Sequence, residues 1–190
     1  MKNVIALKDR RDLVETRFIA LIRGINVGRA KRVAMADLRE LVEELGYRNV
    51  LTVLNSGNVV FTATGDSAVH PASRIEVALS TKLGVSAKVI VITAEELATV
   101  VENNVLGEVA SDPSRLLVAF LSDLKDRTLL ESLPDEDWKP ESLALGSGVA
   151  YLWCPDGVLA SRVAKALNRV LGDRTTTRNW ATVLKIHGKI

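Results

Sequence analysis

With 190 residues, 47% of them hydrophobic and 25% charged, the chain has ordinary globular composition and enough apolar material for one domain or two small ones. Its 25 Lys and Arg against 23 Asp and Glu leave a net charge of +2, too small to argue nucleic-acid binding from overall charge, so an anionic partner must be met by a local patch. The single cysteine, Cys154, excludes an intramolecular disulfide and suits a reducing compartment, and no apolar run approaches the ~20 residues of a spanning helix, so a cytoplasmic protein without a membrane partner is expected.

Residues 1–16, "MKNVIALKDRRDLVET", are rich in charge and read as an N-terminal extension outside the pattern that follows. "RFIALIR" from Arg17 is a short apolar run suited to a buried strand. In "MADLRELVEELG", Met35, Leu38, Leu41, Val42 and Leu45 share one helical face, with Gly46 as the stop. "VLTVLN" and "NVVFTAT" flank Ser56 and Gly57, a short polar turn between β-branched runs that predicts a hairpin. A second helix follows, with Pro71 in its first turn, a capping box in "SRIE", a face of Ile75, Ala78, Leu79 and Leu83, and Gly84 after it. "SAKVIVIT" is a fourth strand, and Thr93 with Glu96 caps a further helix to about Asn103.

The second half repeats this order in pattern, with only slight identity. "RLLVAFLS" echoes the first strand, "DRTLLESL" predicts a short helix, and "ESLALGSGVAYLWC" predicts two strands around Gly146 to Gly148. "VLASRVAKALNRVLG" sets Leu159, Val163, Ala166, Leu167 and Val170 on one face before Gly172, and "TTTR" is a last strand before a helix around Trp180 to Ile186. The architecture expected is α+β: two tandem ferredoxin-like units of split βαβ type, each an antiparallel sheet with helices on one face. Their bounds are residues 17–104, including a linking helix, and 115–190 with the C-terminal helix.

Three blocks, "FIALIRGINVG", "LNSGNVVF" and "TTRNWATVLK", resemble the signature blocks of the bacterial domain of unknown function 1697 family. The resemblance runs from Arg17 over nearly the whole chain. It implies a fold of two ferredoxin-like subdomains and no particular reaction. Two departures from the family pattern stand out. Arg29-Ala30-Lys31-Arg32 occupies the place where the family tends to carry a second glycine and Asn-Lys, and Asn55 stands where it favours Gln.

In a split βαβ sheet of strand order 4-1-3-2, the loop Gly24 to Arg32 and the hairpin Asn55 to Asn58 share one edge. Between them they offer backbone N–H groups made approachable by Gly24, Gly28 and Gly57, the amides of Asn26, Asn55 and Asn58, and the Ser56 hydroxyl. The cations Arg23, Arg29, Lys31 and Arg32 complete a set suited to a phosphate or carboxylate. The structural alternative makes the glycines and the hairpin turn chemistry and the cations a solvated loop. "GINVG" has neither dinucleotide-fingerprint nor Walker A spacing, so no particular nucleotide follows. Arg178, Asn179 and Trp180 combine a bidentate cation, an amide and a stacking surface; the structural alternative anchors Trp180 in the core, with Arg178 on the surface and a threonine capping the helix.

Catalytic groups are few. His70 and His187 are the only histidines, neither placed as a general base, and Ser56 has no base assigned to it. Asp135, Glu136 and Asp137 lie between prolines and read as a solvated connector, and no metal or cofactor is expected. Three functions follow: a module binding a phosphate-bearing or other anionic ligand (nucleotide, RNA or single-stranded DNA), an enzyme on a small anionic substrate, or a protein-interaction scaffold. Nothing in the sequence sets the oligomeric state, and a monomer is consistent with it.

Overall fold

The computed structural model of the chain describes residues 15–27 and 32–190, so the expected N-terminal extension lies outside the described residues apart from Glu15 and Thr16, which open the first strand. The described residues divide into two compact units, those up to Ala94 with Ile190 and those from Glu95 to Lys189.

In the first unit the order is β1 (Glu15–Ile22), α1 (Met35–Glu44), β2 (Arg48–Val53), β3 (Asn58–Thr64), α2 (Pro71–Leu83) and β4 (Val89–Thr93). The strands form one antiparallel sheet in the order β2-β3-β1-β4, the split βαβ arrangement expected from sequence. Phe18 stands opposite Phe61, and Leu21 opposite Asn58. Leu38, Leu41 and Val42 of α1 and Ile75, Ala78 and Leu79 of α2 close over Ala20, Ile22, Val59 and Phe61 on one sheet face. Ile19, Leu21 and Val60, whose side chains alternate to the opposite face, are buried as completely. With both faces buried, these strands read as unbroken apolar runs rather than alternating ones.

The α2 cap departs from expectation. His70 is the N-cap, in left-handed conformation with no side-chain cap, so "SRIE" falls inside the first turns. Glu76 there accepts from the Val89 backbone N–H at 2.9 Å, tying the helix to β4.

The second unit takes α3 (Ala94–Glu102) from Glu95 onward, and Tyr151 binds it there by donating from its hydroxyl to Val100 O at 2.8 Å. It continues with β5 (Leu116–Leu121), β6 (Ser142–Leu145), β7 (Val149–Trp153), α4 (Arg162–Leu171), β8 (Thr175–Asn179) and α5 (Trp180–His187), in a sheet ordered β6-β7-β5-β8. Where a short helix was expected, 3-10 turns run over Leu124–Leu130 and Leu133–Asp135. Proline at 134 follows closely, and Trp138 fixes the segment by donating from its indole to Leu133 O at 2.6 Å. Leu130, Leu133 and Trp138 pack with Val163, Leu167 and Leu171 of α4 on one sheet face. Leu159, assigned to the α4 face from its spacing, is 89% exposed. The helix begins later, because Ser161 caps it by accepting from Ala164 N at 3.0 Å.

Among the described residues no helix is long and apolar enough to cross a membrane.

Candidate functional site

The β1 strand ends at Ile22, where its backbone N–H donates to Gly57 O of the β2–β3 hairpin at 2.8 Å. The chain then turns through Gly24 (φ +68°) and Asn26 (φ +56°), while the hairpin turns through Leu54 (φ +58°) and Gly57 (φ +74°). Four left-handed residues therefore bend two segments toward one end of the sheet. An asparagine accepts that conformation readily and a bulky aliphatic does not, so Leu54 costs about 1–2 kcal/mol.

Asn26 joins the two segments. Its Nδ2 donates to Val33 O and to Asn55 O, each at 2.9 Å, and its Oδ1 accepts from Val33 N at 2.9 Å. Both N–H groups and one acceptor site are thus engaged inside the protein. Asn58 is fully buried, and its Nδ2 donates to Val53 O at 2.9 Å and to Ser56 Oγ at 3.0 Å. These amides hold the loop and hairpin in shape instead of projecting toward solvent. Gly57 leaves no room for a side chain: a Cβ there would stand 2.8 Å from Ile25 Cδ1 and Cγ1 and 3.0 Å from Ile22 Cβ.

What faces outward is a smaller set. Gly24, Arg32, Asn55 and Ser56 are exposed and Arg23 is half-buried. Gly28, Arg29 and Lys31 lie outside the described residues. The topology brings the loop and the hairpin to one rim, as expected from sequence, with Val27 and Leu54 adding exposed aliphatic surface.

Arg178, Asn179 and Trp180 belong to the second unit. Arg178 sits opposite Val118 in the β5–β8 pairing and is buried, not at the surface. It donates from Nη1 to Thr176 Oγ1 at 3.0 Å and to Thr177 O at 2.8 Å, and burial pulls its pKa down to about 10. Asn179, rather than a threonine, caps α5, accepting from Thr182 N at 2.9 Å. Trp180 opens that helix half-buried, outside the fully buried core; Trp138 and Trp153 are the buried tryptophans.

Two clusters escaped the sequence reading. Glu141 takes N–H donations from Arg162 at 2.9 Å and Val163 at 3.1 Å and a hydroxyl donation from Ser161 at 2.5 Å, placing its charge on the α4 N-terminus. Burial works to raise its pKa, but these bonds and the Arg162 charge outweigh it and hold the carboxyl below its ordinary range. Cys154 donates to Ser161 Oγ at 3.3 Å; burial, with the Glu141 charge, pushes the thiol up, the mark of a structural cysteine. The second cluster is Tyr47 under Arg74. The guanidinium lies 5.3 Å from the ring centroid and donates to Leu45 O at 2.9 Å and Ser67 O at 3.3 Å. It therefore meets the face of the ring, and the buried Tyr47 hydroxyl makes no hydrogen bond among the described residues. Neither cluster could be found by spacing, since its key pairs, Glu141 with the start of α4 and Tyr47 with Arg74, stand 20 or more residues apart.

The strand orders and their helices define the class: an α+β protein of two tandem ferredoxin-like units, with its candidate site at one end of the first sheet. The chain belongs to the family of proteins of unknown function DUF1697, whose model matches residues 16–151. That span holds the blocks around Gly24 and Gly57 and ends before "TTRNWATVLK". A solved structure, the conserved bacterial protein SP0830 from Streptococcus pneumoniae, is similar at 26% identity with a TM-score of 0.75, over 92% of this chain and 98% of that one. No curated protein matches the chain.

Proposed function

We propose that the chain binds a phosphate-bearing or other anionic ligand, a nucleotide or single-stranded nucleic acid, at the rim formed by the β1–α1 loop and the β2–β3 hairpin. The observation that carries this reading is the Asn26 clamp, which holds a cationic loop against an exposed hairpin tip. From Thr16 to Ala36 and from Leu45 to Gly65 the chain has no Asp or Glu, so no carboxylate in either segment competes for the cations. The rim combines Arg23, Arg32 and the Ser56 hydroxyl, and the loop sequence also holds Arg29 and Lys31, which lie outside the described residues. Arginine pairs with oxyanions through two parallel N–H bonds, and a hydroxyl adds a third donor. The N-cap of α1, Ala34, makes no side-chain cap, and the nearest carboxylate along the chain is Asp37 in the first turn of that helix.

A thermal-shift panel of nucleotides, phosphosugars and short RNAs at low and moderate salt tests it. A ligand at a hundred times its Kd stabilises by about 2.7 kcal/mol. The shift is expected to shrink with salt and to vanish in Arg29→Ala/Lys31→Ala/Arg32→Ala. No shift from any anion refutes the reading.

The scaffold reading has its own observation: Asn26 and Asn58 direct their amides inward, so much of the motif serves to fasten strand, loop and hairpin together. Under it, the triple variant and the parent respond alike to every anion.

A further inference from the structure

Charge does not explain what stands beside the cations. Among the described residues, positive φ angles fall on glycines, on Asn26, Asn49 and His70, and on Leu54. Asparagine and histidine are enriched in left-handed conformation, whereas Leu54 is a bulky aliphatic at a hairpin tip where glycine or asparagine fits with less strain. It is also 43% exposed, so burial does not fully offset the strain. Val27, 70% exposed, occupies the same rim: the bond from Asn26 Nδ2 to Asn55 O joins the residue before Val27 to the residue after Leu54. Backbone strain of this kind clusters at ligand contacts.

We propose that Leu54 and Val27 form an apolar wall of the anion site and that its ligand is a nucleoside phosphate. This rests on the anion-binding reading above. Arg23, Arg32 and Ser56 take the phosphate, the base lies against the two aliphatic side chains, and the exposed Asn55 amide offers a donor and an acceptor to the base edge. Inorganic phosphate or a sugar phosphate would leave the wall in water or face it with hydroxyls that gain nothing there. A planar base gains from apolar surface against its face and an amide for its edge, and Leu54, Val27 and Asn55 are exposed residues of this rim of the matching chemistry. The same unit occurs free and within single-stranded RNA, so the chemistry is common to both sources.

Titration calorimetry of the full chain with AMP, ribose 5-phosphate, inorganic phosphate and a hexameric single-stranded RNA separates the cases, using Leu54→Gly, Leu54→Asn and Arg23→Ala/Arg32→Ala. AMP is expected to bind about 10-fold tighter than ribose 5-phosphate, from the apolar area covered. Leu54→Gly and Leu54→Asn should bring that ratio to within about 2-fold, and should raise Tm by about 2–4 °C as strain is relieved. A hexamer much tighter than AMP, with steep salt dependence, assigns the site to RNA; equal affinities assign it to mononucleotides. If AMP is no tighter than ribose 5-phosphate, or the Leu54 variants keep the ratio, the nucleoside assignment falls and anion binding stands. If no phosphate compound binds, both fall.

Discussion

Replacing Gly57 by alanine tests the geometry of the loop and hairpin directly. The new methyl group would meet Ile25 Cδ1 and Cγ1 at 2.8 Å and Ile22 Cβ at 3.0 Å. Ile25 is 1% exposed and Ile22 fully buried in a strand, so neither can swing into solvent. Overpacking of this kind costs about 1–3 kcal/mol, and an alanine held in left-handed conformation adds about 1–2 kcal/mol, giving roughly 2–5 kcal/mol. Gly24 is the internal control. Its φ of +68° matches the +74° of Gly57, but among the described residues a Cβ there meets nothing within 4 Å, so Gly24→Ala should lose only the conformational part. Equilibrium urea unfolding followed by far-UV circular dichroism measures both. Tryptophan fluorescence would not serve, because Trp138, Trp153 and Trp180 all belong to the second unit. The excess loss in Gly57→Ala is expected to be about 1–3 kcal/mol, a large part of a small domain's stability. Equal losses would refute the close approach of hairpin and loop.

Asn26→Ala removes three hydrogen bonds and leaves Val33 N, Val33 O and Asn55 O without that partner, for an expected loss of about 1–3 kcal/mol. Amide hydrogen exchange at Val33 should speed up alongside; an unchanged Val33 amide and urea midpoint would show that the clamp does not hold the loop. Glu141→Gln removes the charge on the α4 N-terminus, at about 0.5–2 kcal/mol. Because the folded carboxyl ionises below its ordinary 4.5, the parent's contribution is present above that value and lost as pH falls through the lower folded value. The stability difference between parent and variant should therefore shrink in that acid window, and a difference constant with pH would contradict the assignment.

The pattern of strands and helices was legible because each element carries its own period. Hydrophobic spacing marks α1 and α2, β-branched runs mark β2 and β3, and Gly46 and Gly84 mark helix ends. Where elements begin was less legible, because caps compete. His70 took the place expected of "SRIE", and Ser161 started α4 after Leu159. The 3-10 turns that replace a helix in the second unit reflect a segment shaped by Trp138 and its bond to Leu133 O more than by its own spacing. In the candidate site, topology brought loop and hairpin to one end of the sheet as expected, yet residue type could not tell an exposed amide from a structural one. Asn26 and Asn55 are alike in sequence; one bridges loop and hairpin, the other has its side chain exposed.

The α+β order of each unit, the family, and an acid-free, cation-rich loop followed by a hairpin could be read along the chain, since local period and local charge are properties of sequence neighbours. The tertiary structure alone decided which groups remain available to a partner. Asn26, Asn58 and Arg178 turned inward and Leu54 turned out, because hydrogen bonds and burial are settled between residues that the fold brings together from far apart.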